Sequence, residues 1–167
     1  MVRVYIGLDD VMANFKMAAI GVGAFLVFLY AQNYLDAPAS PSNYVEVTPE
    51  MRGDVLILTG NCRAVNMTVS EHQAISIVSG TEKKFYVRPM THDIMKDMLD
   101  YYGIRLASAR IDSFSDGIYN ARIVLSADGK TLDMDARPTD AVGMAVRLGV
   151  PVLFNEELLD ANGELIC

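Results

Sequence analysis

The chain has 167 residues, of which 51% are hydrophobic and 21% are charged, which is typical of one folded domain with its own core. Its 21 Asp and Glu residues outnumber its 14 Lys and Arg residues, so the net charge at pH 7 is −7. This balance excludes a protein that binds nucleic acid through a broad basic face, because neutralising phosphates supplies most non-specific affinity. Chemistry on nucleic acid would need a local basic patch or a bound divalent cation.

The N-terminal part of the chain contains an uncharged, mostly apolar run over residues 17–35, long enough to cross a bilayer as a helix. We interpret it as a single-pass membrane anchor after an N-terminal segment, residues 1–16. A cleaved signal peptide and a buried core helix are the alternatives. Lys16 before the run and Asp36 after it favour an extracytoplasmic position for the rest of the chain. A start at Met12 would give the run a conventional basic flank, so the position of the true start is left open.

A linker and three strands are predicted next. Residues 36–43 contain two prolines and several small residues, which is typical of an extended linker, so the folded domain is predicted to span residues 44–167. Alternating apolar and polar side chains predict strands over residues 44–48 and 62–69, and a compact apolar run predicts a strand over residues 55–59. Ser70 and Gln73 then have the spacing of a capping box, so a short helix is expected to follow and to end at Gly80.

A second helix is predicted to begin at Thr91, which follows a proline and is a good N-cap residue. It is expected to end at Gly103, because glycine readily adopts the left-handed conformation of a C-cap. Apolar residues at helical spacing form one face of this helix. That face is predicted to pack in the core through Ile94, Met95, Met98, Leu99 and Tyr102.

The sequence of the last part of the domain predicts a three-stranded antiparallel meander, because two Asp-Gly pairs separate three strand-like segments. The segments cover residues 104–114, 118–125 and 131–136. A third helix is expected from Pro138 to Leu148, followed by a short strand and a final helical turn. The expected fold is therefore α+β, an antiparallel or mixed sheet with a three-stranded meander and three packed helices, preceded by the N-terminal transmembrane helix.

The two cysteines, Cys62 and Cys167, have no spacing typical of a zinc site. A disulfide between them is one interpretation. Because nothing in their sequence positions supports a pairing, two free thiols are the expected state.

The residues from Arg88 to Asp93 form a first polar cluster, Arg-Pro-Met-Thr-His-Asp, at the start of the second predicted helix. One interpretation is capping alone, in which Thr91 caps the helix and the first-turn carboxylate of Asp93 interacts with the helix dipole. The other makes His92 a general acid or base, since imidazole titrates near neutral pH.

A second polar cluster runs from Asp135 to Asp140 at the start of the third predicted helix. One interpretation is an ion pair between Arg137 and Asp140 across the first helical turn. The other has Arg137 bind a phosphate and one of the two carboxylates hold a divalent cation. If the two helix starts converge, their N–H groups and arginines create one anion site in an acidic protein. Glu71 and His72, which open the first helix, are further candidates for this site.

Both clusters resemble the motifs of the bifunctional nuclease domain family. That family has Arg-Pro-x-Thr-His-Asp at one helix start and Asp-Ala-Arg-Pro-Ser-Asp-Ala at the next. Here the second motif runs from Asp135 to Ala141, with Thr139 where serine is usual. The helix that begins at Glu71 also resembles the family's Glu-x-x-Ala-Ile element, and the likeness extends over residues 55–159. The resemblance implies an α+β domain, a tendency to form homodimers, and the DNase and RNase activity of some members.

We therefore predict a membrane-anchored nuclease that hydrolyses phosphodiester bonds in DNA, RNA or both. Arg88 and Glu71 are predicted to contact the substrate. The predicted catalytic residues lie at the two helix starts: His92, Asp93, Arg137 and Asp140. The predicted ligands of a Mg²⁺ or Mn²⁺ ion are the carboxylates Asp93, Asp135 and Asp140. The alternative is a non-catalytic dimerising or ligand-sensing module in which both clusters are structural ion pairs.

Overall fold

The computed structural model describes residues 42–167. The predicted N-terminal segment and membrane anchor, together with all but the last two residues of the predicted linker, lie outside the described residues. Within residues 42–167, no helix has the length and apolar character needed to cross a membrane.

The described part of the chain folds into eight strands and four helices. The strands are β1 (Tyr44–Arg52), β2 (Val55–Gly60), β3 (Arg63–Thr68), β4 (Arg105–Ser115), β5 (Ile118–Ala127), β6 (Lys130–Ala136), β7 (Val152–Asn155) and β8 (Glu164–Leu165). The helices are α1 (Glu71–Thr81), α2 (Thr91–Tyr101), α3 (Pro138–Leu148) and α4 (Glu156–Asn162). The α+β class is confirmed. The helix count is four rather than the three predicted, because the final helical turn extends to Asn162.

All eight strands form one mixed sheet in the order β6-β5-β4-β7-β1-β2-β3-β8. The pairing of β4 with β7 is parallel, and the other neighbours are antiparallel. Two meanders, β1–β3 and β4–β6, are thus joined through β7. Both Asp-Gly turns of the second meander have positive φ at both residues, 53° and 78° at Asp116-Gly117 and 48° and 71° at Asp128-Gly129. That geometry matches the twist of the flanking strands, so the predicted meander is confirmed.

Helix α3 lies at the centre of the fold and contacts β4, β5, β7, α1 and α2. It begins with Pro138 in its first turn and ends at Gly149, whose φ of 68° is left-handed. Its inward face is fully buried at Ala141, Val142, Met144 and Ala145. Because α3 is held on several sides, the side chains of its first turn have a fixed position relative to α1 and α2.

Helix α2 differs from its prediction in two respects. Its N-cap is Met90 rather than Thr91, and the carboxylate of Asp93 accepts the Met90 N–H at 2.8 Å. The face predicted to be in the core is mostly exposed, as for Ile94 at 53% and Met98 at 56% exposure, whereas Leu99 is buried. Because α2 packs beside α3 and not across the sheet, only one line of its residues has a partner within the described residues.

The prediction of free cysteines is wrong. Cys62 and Cys167 form a disulfide with their Cα atoms 5.2 Å apart. Strand β8 pairs with the edge strand β3, and the Ile166 N–H donates to the Cys62 carbonyl at 2.9 Å. This return of the chain to the edge of β3 brings the thiols together, and no local sequence pattern predicts it.

Candidate active site

The first turns of α2 and α3 border an open cleft of about 450 Å³, which α1, β5 and β6 complete. Of the predicted site residues, the cleft is lined by His92 from α2, Asp135 from β6, and Arg137 and Asp140 at the start of α3. The two helix starts therefore border one cleft, which is the condition on which the predicted anion site depends. Backbone N–H groups at such starts favour a bound anion.

His92 is held from three directions. Its Nδ1 lies 2.8 Å from the buried Ser76 hydroxyl of α1, and its Nε2 lies 3.4 Å from Asp140 Oδ1. The face of the imidazole ring packs against Gly143 of α3. A Cβ atom added to Gly143 would lie 3.3 Å from Cε1 of His92. A glycine one turn after Asp140 thus allows the ring to approach the helix closely.

The electrostatics of the site keep His92 neutral. Burial lowers the pKa of His92 below its usual value, the charge of Arg147 lowers it further, and Asp140 partly opposes both effects. An imidazole with a lowered pKa is uncharged at neutral pH. Because an ionised carboxylate faces Nε2, we assign the proton to Nε2, and the Ser76 hydroxyl then donates to Nδ1.

Arg137 and Asp140 form the predicted ion pair. The guanidinium Nε and Nη2 donate to the two oxygens of Asp140 at 2.7 and 3.0 Å, and this contact raises the pKa of Arg137. The Arg137 side chain is 70% exposed, so its remaining donors are accessible from the cleft. Asp140 is shared between a guanidinium on one side and His92 on the other.

Asp93 does not join this set. It is buried, and its two oxygens accept hydrogen bonds from Arg147 Nε at 2.6 Å and from the Met90 N–H at 2.8 Å. Burial raises the pKa of Asp93, but the hydrogen bonds from Arg147 and Met90 outweigh it, and the net shift is downward. Arg147 also donates to the Gly143 carbonyl at 2.9 Å. These contacts are those of a structural ion pair, which argues against the predicted catalytic and metal-binding roles of Asp93.

Two further predicted residues are not among those that line the cleft. Arg88 is exposed in the loop before α2 and is not among the residues that line the cleft. Glu71 lines a second depression, beside Asp54 and Tyr86. Neither predicted substrate contact is therefore among the residues that line the cleft with His92, and both roles stay predictions.

Of the three predicted metal ligands, Asp93 is already paired with Arg147. Within residues 42–167, no group of three or more His, Cys, Asp or Glu side chains is arranged to hold a metal ion. Asp135 and Asp140 both line the cleft, and two carboxylates suit Mg²⁺, which usually keeps several waters and binds substrate phosphate oxygens. A metal site here stays a prediction in which the substrate supplies ligands.

Sequence reasoning missed three residues that support the site: Ser76, Gln73 as an inter-helix contact, and Arg147. Gln73 completes the predicted capping box with Ser70 and also donates from Nε2 to Thr139 Oγ1 at 3.0 Å, which ties α1 to the start of α3. For Arg147, one signal was available in the sequence: it is a charged residue in the mostly apolar helix α3. A charged side chain is rarely buried in such a helix unless it is paired with an opposite charge. That signal predicts a partner for Arg147 without identifying it.

Comparison with known proteins gives one family. The sequence model of the bifunctional nuclease domain matches residues 55–166. An uncharacterized protein of Mycobacterium tuberculosis is 34% identical over 79 residues, 47% of this chain and 46% of the relative. Bifunctional nuclease 2 of Arabidopsis thaliana is 30% identical over 98 residues, 57% of this chain and 30% of the relative. Bifunctional nuclease 2 of Oryza sativa is 25% identical over 124 residues, 72% of this chain and 38% of the relative.

The chain thus spans less than half the length of these curated relatives. The family match nevertheless covers more than half of the chain itself and includes both helix starts at the cleft. The chain belongs to the bifunctional nuclease domain family.

Proposed function

We propose that this protein is a nuclease that hydrolyses phosphodiester bonds in DNA, RNA or both at the cleft between α2 and α3. The observation that carries the proposal is the position of His92, whose Nε2 lies 3.4 Å from Asp140 in an open cleft beside an exposed arginine. The relatives named bifunctional nuclease support the reaction class.

In the proposed reaction, Arg137 binds the scissile phosphate through the guanidinium donors that Asp140 leaves free. Asp140 accepts a proton from the attacking water. As the bond from phosphorus to the leaving oxygen breaks, the Nε2–H of His92 donates a hydrogen bond to that oxygen, a role that a neutral imidazole can fill. Solvent water supplies the proton that the leaving oxygen takes up. Mg²⁺ or Mn²⁺ held by Asp135 and Asp140 would neutralise phosphate charge in a chain whose net charge is −7.

The test is cleavage of single-stranded DNA and RNA by the purified full chain in detergent with Mg²⁺ or Mn²⁺. We expect cleavage by the wild type and a loss of at least about a hundredfold in His92→Ala and Arg137→Ala. Arg52→Ala is the matched control, because Arg52 is an exposed arginine paired with Glu50 and distant in sequence from both clusters. Intact substrates with the wild type, or equal cleavage by the two cleft variants, would refute the proposal.

The nuclease is proposed to act from a membrane, with its domain on the extracytoplasmic side. The disulfide between Cys62 and Cys167 supports this side, because disulfides persist in oxidising compartments. Cell fractionation tests the anchor. The full chain should need detergent for its release, and deletion of residues 17–35 should make it extractable with buffer. Release of the full chain by alkaline carbonate alone would contradict an anchor.

A homodimer through α2 is also proposed. Ile94, Met98, Tyr101 and Tyr102 are 53%, 56%, 83% and 68% exposed and follow one another at helical spacing, so they form one apolar stripe. Folded monomers rarely expose large contiguous apolar patches, and an apolar stripe on a helix is able to pack against its own copy. Light scattering should give the mass of a dimer for the wild type and of a monomer for Tyr101→Lys. Ile118→Lys, at an exposed apolar residue of the β4–β5 hairpin, is the control.

One observation favours the alternative, a non-catalytic dimerising or ligand-sensing module. Asp93 of the first cluster forms a buried ion pair with Arg147. Such a pair is typical of a residue that stabilises the fold. That alternative predicts that His92→Ala and Arg137→Ala lower the melting temperature or break the dimer. Melting curves of both variants that match the wild type would count against it.

A further inference from the structure

Methionine is the most frequent residue type among those that line the cleft. Of the chain's ten methionines, four line the cleft: Met90, Met95, Met134 and Met144. Core filling explains Met144, which is fully buried, but Met95 is 37% exposed and Met134 is only partly buried. These side chains therefore present an uncharged surface to whatever enters the cleft.

The same cleft combines that uncharged surface with a charged set, Arg137, Asp140 and Asp135. A nucleotide is divided in the same way, into a planar, largely apolar base and an anionic phosphate. If the phosphate contacts Arg137, the methionine surface is the part of the cleft left for the base. Methionine suits this contact because its polarizable sulfur interacts favourably with aromatic rings and its flexible chain adapts to rings of different shape.

The volume of the cleft limits the size of the ligand that it can hold. About 450 Å³ lies within the range of small-ligand pockets, roughly 300–1,000 Å³, and accommodates one base with its sugar. A base inside a duplex is stacked and paired, and extruding it costs the free energy of those contacts. An unpaired base carries almost none of that cost.

We propose that the methionine-lined part of the cleft is a pocket for one unpaired nucleobase, so that the protein takes single-stranded rather than duplex nucleic acid. The placement of the phosphate at Arg137 rests on the proposed function. The contact between base and methionines does not require turnover, and it is therefore measurable separately.

The direct test is a titration of the full chain, labelled with ¹³C at its methionine methyl groups, without divalent cations. Adenosine 5′-monophosphate is the probe and ribose 5-phosphate is the base-free control. We expect ring-current shifts of the Met95 and Met134 methyl signals with the first compound only, and no shift of Met67, which lies on β3 outside the cleft. Equal shifts with both compounds, or none with either, would overturn the pocket.

Variants give a second measurement. Met134→Gln should weaken binding of adenosine 5′-monophosphate about twofold to tenfold, the loss expected for one sulfur–aromatic contact. Met67→Gln is the matched control, because both residues are partly buried, strand-borne and packed against the core. If the two variants bind alike while both remain folded by circular dichroism, the pocket assignment is wrong.

The two proposals fail separately. Methyl shifts with the nucleotide but no cleavage of any substrate would keep the pocket and refute the nuclease. Cleavage of a blunt duplex as fast as of its single strand, without methyl shifts, would keep the nuclease and refute the pocket. Cleavage at least about tenfold faster on the single strand than on its duplex, the direction set by the cost of extrusion, supports both.

Discussion

The Ser76 hydroxyl of α1 lies 2.8 Å from Nδ1 of His92 at the start of α2. Ser76 is buried, with 4% of its surface exposed, so this contact is shielded from solvent. Since Asp140 faces the other ring nitrogen, the hydroxyl is the donor and Nδ1 the acceptor in the neutral ring. The contact therefore stabilises the uncharged form of His92.

Ser76→Ala is accordingly expected to raise the pKa of His92, because a hydrogen bond to the neutral form is lost. The variant should also lose about 1 kcal/mol of unfolding free energy. An NMR titration of the His92 Cε1 proton measures the pKa, and Ser79→Ala on the same helix is the control. A lower pKa in Ser76→Ala would mean that the Ser76 oxygen instead accepts a hydrogen bond from Nδ1–H.

Gly143→Ala is expected to separate activity from stability. The new Cβ would lie 3.3 Å from the His92 ring, which is tight enough to displace the ring by a few tenths of an ångström. Alanine also stabilises a helix interior by roughly 0.5–1 kcal/mol relative to glycine. We therefore expect kcat/KM for cleavage to fall about tenfold with little change in melting temperature. Unchanged kcat/KM would show that the ring position is not critical.

Gly80→Ala is the contrasting change. Its Cβ would lie 2.7 Å from Arg147 Nη1 and 2.8 Å from Val146 Cγ2, so the buried arginine would have to move. This variant should lower the melting temperature, although it changes none of the residues that line the cleft. Equal melting temperatures for Gly80→Ala and Gly143→Ala would contradict the packing described.

The two ion pairs near the cleft should respond differently to removal of one partner. Asp93→Asn leaves Arg147 buried without its counter-charge and should cost about 3–5 kcal/mol of unfolding free energy. Arg137→Ala removes an exposed side chain and should cost less than about 1 kcal/mol. Urea denaturation of both variants measures the difference. A large loss in Arg137→Ala would assign that pair a structural role.

The elements that the sequence predicts correctly are those set by local interactions. The Asp-Gly turns, the proline start of α3 and the pair of Arg137 with Asp140 each depend on residues within a few positions of one another. The candidate site was predicted in part for the same reason, since its two halves are helix starts with recognisable residues. Only the structure shows that they share one cleft.

The contacts that were not predicted are between residues far apart in the chain. Asp93 and Arg147 are separated by 54 positions, and Cys62 and Cys167 by 105. The spacing of apolar residues in α2 predicts that the helix has an apolar face, but not which element packs against that face. For Ile94 and Met98, no such element lies within the described residues. Long-range pairing depends on the sheet order, which local patterns do not determine.

The lowered pKa of His92 makes stability depend on pH. The unfolded chain binds a proton at His92 near pH 6.5, whereas the folded chain binds it only at lower pH. Unfolding free energy should therefore fall as the pH drops below about 6.5 and level off once the folded-state pKa is passed. His92→Gln should remove this slope between pH 7 and 5, and His72→Gln, at an exposed histidine, should keep it. Denaturant curves at each pH provide the measurement.

Removal of the disulfide is expected to destabilise the domain through the unfolded state. The bond joins residues 105 positions apart, so it restricts a long loop in the unfolded chain, and typical losses are about 2–4 kcal/mol. The double variant Cys62→Ser, Cys167→Ser should show this loss in denaturant, and so should the wild type in the presence of a reductant. The double variant itself should not respond to the reductant. Equal stability of oxidised and reduced wild type would mean that the pairing of β8 with β3 holds the C-terminus without the covalent bond.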